Sequence, residues 1–479
     1  MYKSILYCLL LVASFSGLVA QEKVIDLKQS TEHVALIEYD NDLLPTSFFE
    51  RNRNELRKLM PPNSVAVLFA NPIQNRSNDV DFQYHQDPNF YYLTGLREPN
   101  AMVLIFKDVQ EFGDGMKTDE ILFLQSRNKL DEVWTGKRLG AERAVSYLGI
   151  KSALDAADFN KFNAEFATFD KILVGEIHHE LKNKFNKEDL YSLIQSFHSK
   201  TEKCLEKLEK NQINNLFLPQ LRQVKQEEEL MLLKKAIDIT CEAQIELMKS
   251  LTPTMKEYQS QAIVEYVFKT NGAEYPGFPT IMGAGENTCV LHYTSNRKPL
   301  EKNDLLVSDI GAEYHGYTAD VTRTLPVNGK FSEEQKIIYN IVLDAQKVGI
   351  AQCKKGNKFW DPHDAATKII AAKLIELGII DKAYKVKEYF MHGTSHYLGL
   401  DVHDAGLFGS LQSGNVITVE PGIYIPAGSK CDKKWWNIGV RIEDDILITD
   451  GEPINLSEKA PREIAEIEQL MLEVGNFEK

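Results

Sequence analysis

Apolar positions recur at helical spacing over residues 48–60, and Pro61-Pro62 stops the run. Strand-like apolar runs follow at 65–70, 102–107, 121–125 and 171–175, interleaved with helical patterns such as 141–148. That alternation predicts an α/β N-terminal domain over residues 45–200. The highly charged stretch 200–210 opens a connector, residues 201–225. From Glu227 the pattern changes to long helices at 227–251, 256–271, 332–353 and 362–377. Ser332 with Gln335 makes a capping box, and Gly378 fits a helix C-terminus. Short antiparallel strands lie between and after these helices, so residues 226–475 read as an α+β domain. Residues 21–44 read as a loose leader.

One strand pair bears on chemistry. The apolar run 305–311 holds Asp309, the second strand runs over 317–324 and holds Asp320, and 313–316 gives the turn signal. Folding the hairpin about Tyr314-His315 sets Asp309 directly across from Asp320, on the same face. Opposed like charges repel unless a proton or a cation sits between them. From the hairpin alone, two unrelated surface aspartates remain as good a reading as a metal site.

The other candidate donors are concentrated downstream. His392, His396 and His403 fall within fourteen residues, the string MHGTSHYLGLDVHD. Glu420 ends the apolar run 416–419, and Glu443 lies inside the run 440–448. Charged residues in such runs are rarely buried unless paired or bound to a metal. Any one of these has an ordinary explanation, such as an ion pair of Glu443 with Arg441. A set of four carboxylates and one imidazole suits hard divalent ions, and suits a pair of them better than one.

Asp309, Asp320, His396, Glu420 and Glu443, in this order and surroundings, resemble the five ligands of the dinuclear "pita-bread" metallopeptidases. The strings GENTCVLHYT (285–294), the histidine string, Val419-Glu420-Pro421-Gly422 and GVRIEDD (439–445) are most similar to aminopeptidase P. DFQYHQDPNFYYLTG (81–95) and VWTGKR (133–138) are similar to its N-terminal domain. The resemblance implies a pita-bread catalytic domain, two divalent ions (Mn²⁺ above all) and hydrolysis of the first bond in peptides with proline second. It implies that Glu420 also handles the proton of the attacking water. His292 and His403 would contact the carbonyl oxygen and leaving group. His392 and Tyr424 would wall the proline pocket, with Trp134 from a neighbouring chain if the protein is a homo-oligomer, and Arg441 would brace a ligand carboxylate. A prolidase acting on Xaa-Pro dipeptides shares this fold, and a non-catalytic peptide-binding relative is a further alternative.

Composition narrows the field further. A chain of 479 residues is long for one core, and a net charge of −14 disfavours nucleic-acid partners. The six cysteines are widely spread and contain no Cys-x-x-Cys pair, so neither a disulfide framework nor a zinc knuckle is expected. Residues 1–20 read as a signal peptide, with Lys3 before an apolar run at 5–13. That run is far short of the roughly 20 residues of a membrane span. Export to a periplasm or medium, with no transmembrane anchor, is therefore expected.

Overall fold

The computed structural model describes residues 40–178, 181 and 186–477, so the expected 1–20 leader lies outside the described residues. Near the N-terminus, helices α1 (Thr46–Leu59), α2 (Pro88–Thr94), α3 (Ala141–Leu148) and α4 (Leu190–Thr201) surround one mixed sheet. Its strands are β1 (Ser64–Phe69), β2 (Met102–Glu111), β3 (Lys117–Leu124), β4 (Ala153–Asp155), β5 (Lys171–Val174) and β6 (Leu208–Glu209), in the order β4-β3-β2-β1-β5-β6. Every residue of β1 is buried, as its unbroken apolar run requires of a strand covered on both faces. Val65, Val67 and Phe69 face α4, while Ala66 and Leu68 face α1 to α3.

The expected connector is a correction. β6 lies inside 201–225 and pairs in parallel with β5, so the N-terminal sheet runs into that span. Most of the remainder is a 3-10 turn (Glu202–Lys207), a π-helical turn (Ile213–Phe217) and a short α-helix (Leu218–Arg222). A strand of two residues, Leu208–Glu209, is too short to leave a periodicity to detect.

The long helices appear where the pattern places them, within about two residues at either end: α5 (Glu227–Ser250), α6 (Glu257–Thr270), α7 (Glu333–Ala351) and α8 (Asp361–Glu376). Ser332 and Gln335 form the expected capping box. The helices share a core with β7 (Ile281–Ala284), β8 (Leu305–Ile310), β9 (Ala312–Tyr314), β10 (Tyr317–Thr318) and β11 (Val321–Pro326). Further on come β12 (Val416–Val419), β13 (Gly422–Ile425), β14 (Ile438–Arg441) and β15 (Asp444–Leu447). All pairings among these strands are antiparallel.

The hairpin register also needs correcting. Tyr314 pairs with Tyr317, so the turn is His315-Gly316 rather than Tyr314-His315. Both turn residues have positive φ, 51° and 88°, the signature of a tight type I′ connection. Asp309 consequently faces Thr322, and Asp320 is its diagonal neighbour on the same face.

A second core cluster crosses between the two domains. Phe48, Phe49, Tyr91 and Leu148 from the N-terminal part pack in it with Leu232, Ala236, Tyr317, Leu398 and Val416.

Candidate active site

Three of the five expected ligands sit where a strand is interrupted. Asp320 lies between β10 and β11. Glu420-Pro421 separates β12 from β13, and Ile442-Glu443 separates β14 from β15, directly opposite. Such interruptions free a residue from the ladder and re-aim its side chain. Asp309, by contrast, sits near the end of β8 between Ile281 and Thr322. His396 lies before β12, its carbonyl accepting from Thr418 N–H at 3.0 Å. Glu420 N–H likewise donates to Thr394 carbonyl at 2.9 Å. Glu443 N–H donates to Thr322 carbonyl at 3.1 Å, which ties the two strand systems together.

The side chains converge. His396 Nε2 is 3.4 Å from Asp320 Oδ2 and 3.6 Å from Glu420 Oε1. Asp320, His396 and Glu443 each offer a donor atom within 4.8 Å of the others. All five expected ligands line one cleft of about 760 Å³, together with His292, Val402 and His403. An adjoining lobe of about 710 Å³ shares His292, Asp309, His396, His403 and Glu420, and adds His392, Gly393 and Arg441. Every expected ligand, His292, His392 and His403 are therefore on one surface.

Tyr424 is the exception. It is fully buried, behind His392 rather than beside it. Its hydroxyl pairs with His392 Nε2 at 2.8 Å and accepts from Arg441 Nη1 at 3.0 Å. The alternation of β13 turns its ring into the interior, which the local string does not reveal. Trp134, expected to reach the pocket from a neighbouring chain, is largely exposed on this one.

The electrostatics fit a bound cation. Burial, then the nearby Asp309, raises the Asp320 carboxyl well above the usual carboxylate range. Burial, then Asp320 and Glu420, does the same to Glu443. Burial lifts Glu420 to about 7 against the opposing pull of His396 and Arg441. Asp309 Oδ1 and Asp320 Oδ1 are buried without a hydrogen-bond partner. Buried acceptors of this kind are costly unless something positive completes them. Arg441 supplies part of that charge, donating from Nη2 to Asp309 Oδ2 at 2.5 Å. The remaining carboxylate and imidazole donors have the chemistry that suits divalent ions.

Sequence comparison gives the same picture from outside. Residues 231–450 match the Metallopeptidase family M24, and residues 49–173 match the aminopeptidase P N-terminal domain. The Xaa-Pro aminopeptidase of Escherichia coli (strain K12) is 35% identical over 88% of this chain and 97% of its own length. That of Haemophilus influenzae is 36% identical over 89% and 98%. The chain belongs to the aminopeptidase P family of M24 metallopeptidases. A structure of Escherichia coli aminopeptidase P with the inhibitor Pro-Leu superposes with a TM-score of 0.80 at 32% identity, covering 90% of this chain and 98% of that one. A Pseudomonas aeruginosa aminopeptidase gives the same TM-score, 0.80.

Membership in this M24 family implies divalent metal ions. Within this aminopeptidase P-type fold, several groups around the cleft lie outside the expected set of site residues. Thr322 donates to Glu443 Oε2 at 2.6 Å and lies 3.3 Å from Arg441 Nε. Asp445 Oδ2 accepts from Asp320 N–H at 3.2 Å. Phe278, Pro279 and Ile281 form the apolar wall of the cleft. The correct hairpin register would have exposed Thr322, because it is the residue opposite Asp309. Among the described residues, no helix is long and apolar enough to cross a membrane.

Proposed function

We propose that this enzyme removes the N-terminal residue from peptides whose second residue is proline. The observation that carries the proposal is the convergence of Asp309, Asp320, His396, Glu420 and Glu443 in one cleft with His292, His392 and His403 on its walls. The five acidic and imidazole groups would hold two divalent ions, with Mn²⁺ favoured by a donor set rich in carboxylate and lacking thiolate. When bound, such ions acidify a water molecule and polarise the scissile carbonyl.

The chain's own groups do the rest. An Xaa-Pro bond is a tertiary amide without an N–H, and its nitrogen, like that of any amide, must gain a proton to leave. Glu420, common to both lobes, would take the proton from the attacking water and deliver it to that nitrogen. Burial, then the charges of His396 and His292, lowers the His403 pKa, so its imidazole is neutral at pH 7. A neutral imidazole can donate one hydrogen bond to the carbonyl oxygen, as His292 can from the same cleft. Burial, then Arg441, pushes His392 down to about 4. His392 thus offers an uncharged ring face to the pyrrolidine, locked in orientation by the Tyr424 hydroxyl.

A specific feature favours the aminopeptidase over the dipeptidase reading. A prolidase must bind a free carboxylate beside the proline, which calls for an available cation. Arg441 is the one Lys or Arg lining either lobe among the described residues, and its guanidinium is committed to Asp309, Tyr424, Thr322 and the Leu291 carbonyl. Apo-enzyme supplied with Mn²⁺ should cleave Xaa-Pro-Yaa at its first bond and Xaa-Ala-Yaa poorly. Turnover confined to Xaa-Pro dipeptides would move the assignment to prolidase. Export through residues 1–20 belongs to the same proposal, and N-terminal sequencing of the mature protein tests it.

A further inference from the structure

His403 sits in a stretch, 399–407, without regular secondary structure. Its role nevertheless requires an imidazole held in place. Local bonds close the turn: Asp404 N–H donates to Tyr397 carbonyl at 2.8 Å, and Gly399 N–H to Asp401 carbonyl at 3.1 Å. The Gly399 carbonyl accepts from Thr318 N–H at 2.8 Å, and Leu407 N–H donates to Gln223 Oε1 at 2.9 Å, which ties both ends of the stretch to the rest of the molecule. Next to His403 itself the anchor is ionic. The two acids that bracket Val402-His403 are held by one guanidinium, since Arg222 Nη2 donates to Asp401 Oδ2 at 3.1 Å and to Asp404 Oδ1. Lys225 Nζ donates to Asp404 Oδ2 at 2.7 Å and to the Arg222 carbonyl at 2.5 Å.

The side chains of Arg222 and Asp404 are 3% and 1% exposed, and that of Lys225 is 1% exposed. Gly399 leaves no room for a Cβ, which would collide with the Asp404 carboxylate and Lys225 Cε. Arg222 also reaches the N-terminal domain, donating from Nη1 to Asn89 Oδ1 in α2 at 2.7 Å. Well-packed apolar residues stabilise a fold as well as a buried ion cluster does, so stability alone does not explain two cations here. Fixed geometry does, because each charge constrains its partner's direction as well as its distance.

We infer that Arg222 and Lys225 are positioning residues for His403, acting through Asp401 and Asp404. The inference rests on the reading of His403 given above. A double-mutant cycle tests it on the full-length enzyme loaded with Mn²⁺. Asp404→Asn should lower kcat on an Xaa-Pro-Yaa peptide on the order of ten- to a hundredfold, the loss expected when a supporting residue lets a catalytic group drift. KM and bound metal should stay within about twofold, and the same substitution in a His403→Ala background should change kcat by less than about twofold. If Asp404→Asn does not accumulate as folded protein, Asp401→Asn carries the same cycle, its side chain being 46% exposed. Equal losses in both backgrounds, or a lower Tm with kcat unchanged, would overturn the inference while leaving the proposed function intact. Full kcat in His403→Ala would overturn the role of His403 and this inference together.

Discussion

Single side chains decide how the cleft holds charge. Thr322→Val keeps the β-branched shape that β11 favours but deletes the hydroxyl that donates to Glu443 at 2.6 Å. Metal affinity, measured by titrating apo-enzyme, should fall about ten- to a hundredfold with the fold retained. Unchanged affinity would remove Thr322 from any role in orienting Glu443. Glu229, which lines neither lobe of the cleft, allows a separate pH test. Burial raises its carboxyl to about 7 from an ordinary 4.5, against the opposing charge of Lys225 and the bonds from Gln226 N–H and Tyr317 hydroxyl. The folded state thus binds that proton more tightly than the unfolded chain does. Its stabilising contribution is complete below about pH 4.5 and is lost as pH rises through about 7. Relative to Glu229→Gln, the wild type should lose up to about 3 kcal/mol between pH 4 and 8 in urea unfolding. A pH-independent difference between the two proteins would contradict it. Sequence marks acids in apolar runs and a string of three histidines, and the structure gathers these groups in one cleft. Thr322 and Tyr424 carry no such mark, because an ordinary Thr or Tyr in a strand shows its role only once the facing residue is known.

Elements were legible in proportion to their length. The four long helices of the catalytic part could be placed from periodicity and caps alone, because many positions vote for one face. The interruptions that hold Asp320, Glu420 and Glu443 could not, since a break of two residues is shorter than any periodic signal. The turn lies one residue beyond the expected position for a related reason: His315 adopts positive φ, which is uncommon in any residue but glycine and so gives no strong local signal. The I′ geometry gives an expectation of its own. Gly316→Ala puts a Cβ at φ 88° and should destabilise the protein by about 1–2 kcal/mol. Bound metal should be nearly unchanged, because the ladder from Asp309 to Thr322 lies beyond the turn. Loss of metal at retained stability would mean that the turn, rather than the ladder, sets the Asp309–Asp320 relation.

At the scale of the molecule, sequence showed two domains but not how they join. Phe48 on α1 and Leu232 on α5 each look like ordinary inward-facing positions of separate helices. Only the folded chain places them in one cluster. Salt and hydrogen bonds cross the same boundary, from Arg51 to Glu228 at 2.8 Å and from Tyr275 hydroxyl to Tyr84 carbonyl at 2.6 Å. With a core in common, neither part can open without exposing the other's apolar surface. Differential scanning calorimetry should therefore show one cooperative transition, with calorimetric and van't Hoff enthalpies in agreement. Two resolved transitions would show the seam to be weaker than its packing suggests.

The shared seam also bears on how such chains can diverge. A substitution at Phe48 or Tyr91 changes the shape that Leu232, Ala236 and Leu398 must fill, so the two halves of the gene are answerable to each other. Chimeras that graft the first 200 or so residues of one relative onto the catalytic half of another would inherit two mismatched pieces of one interior. They would fail first in packing, with every ligand and histidine of the cleft still in the sequence.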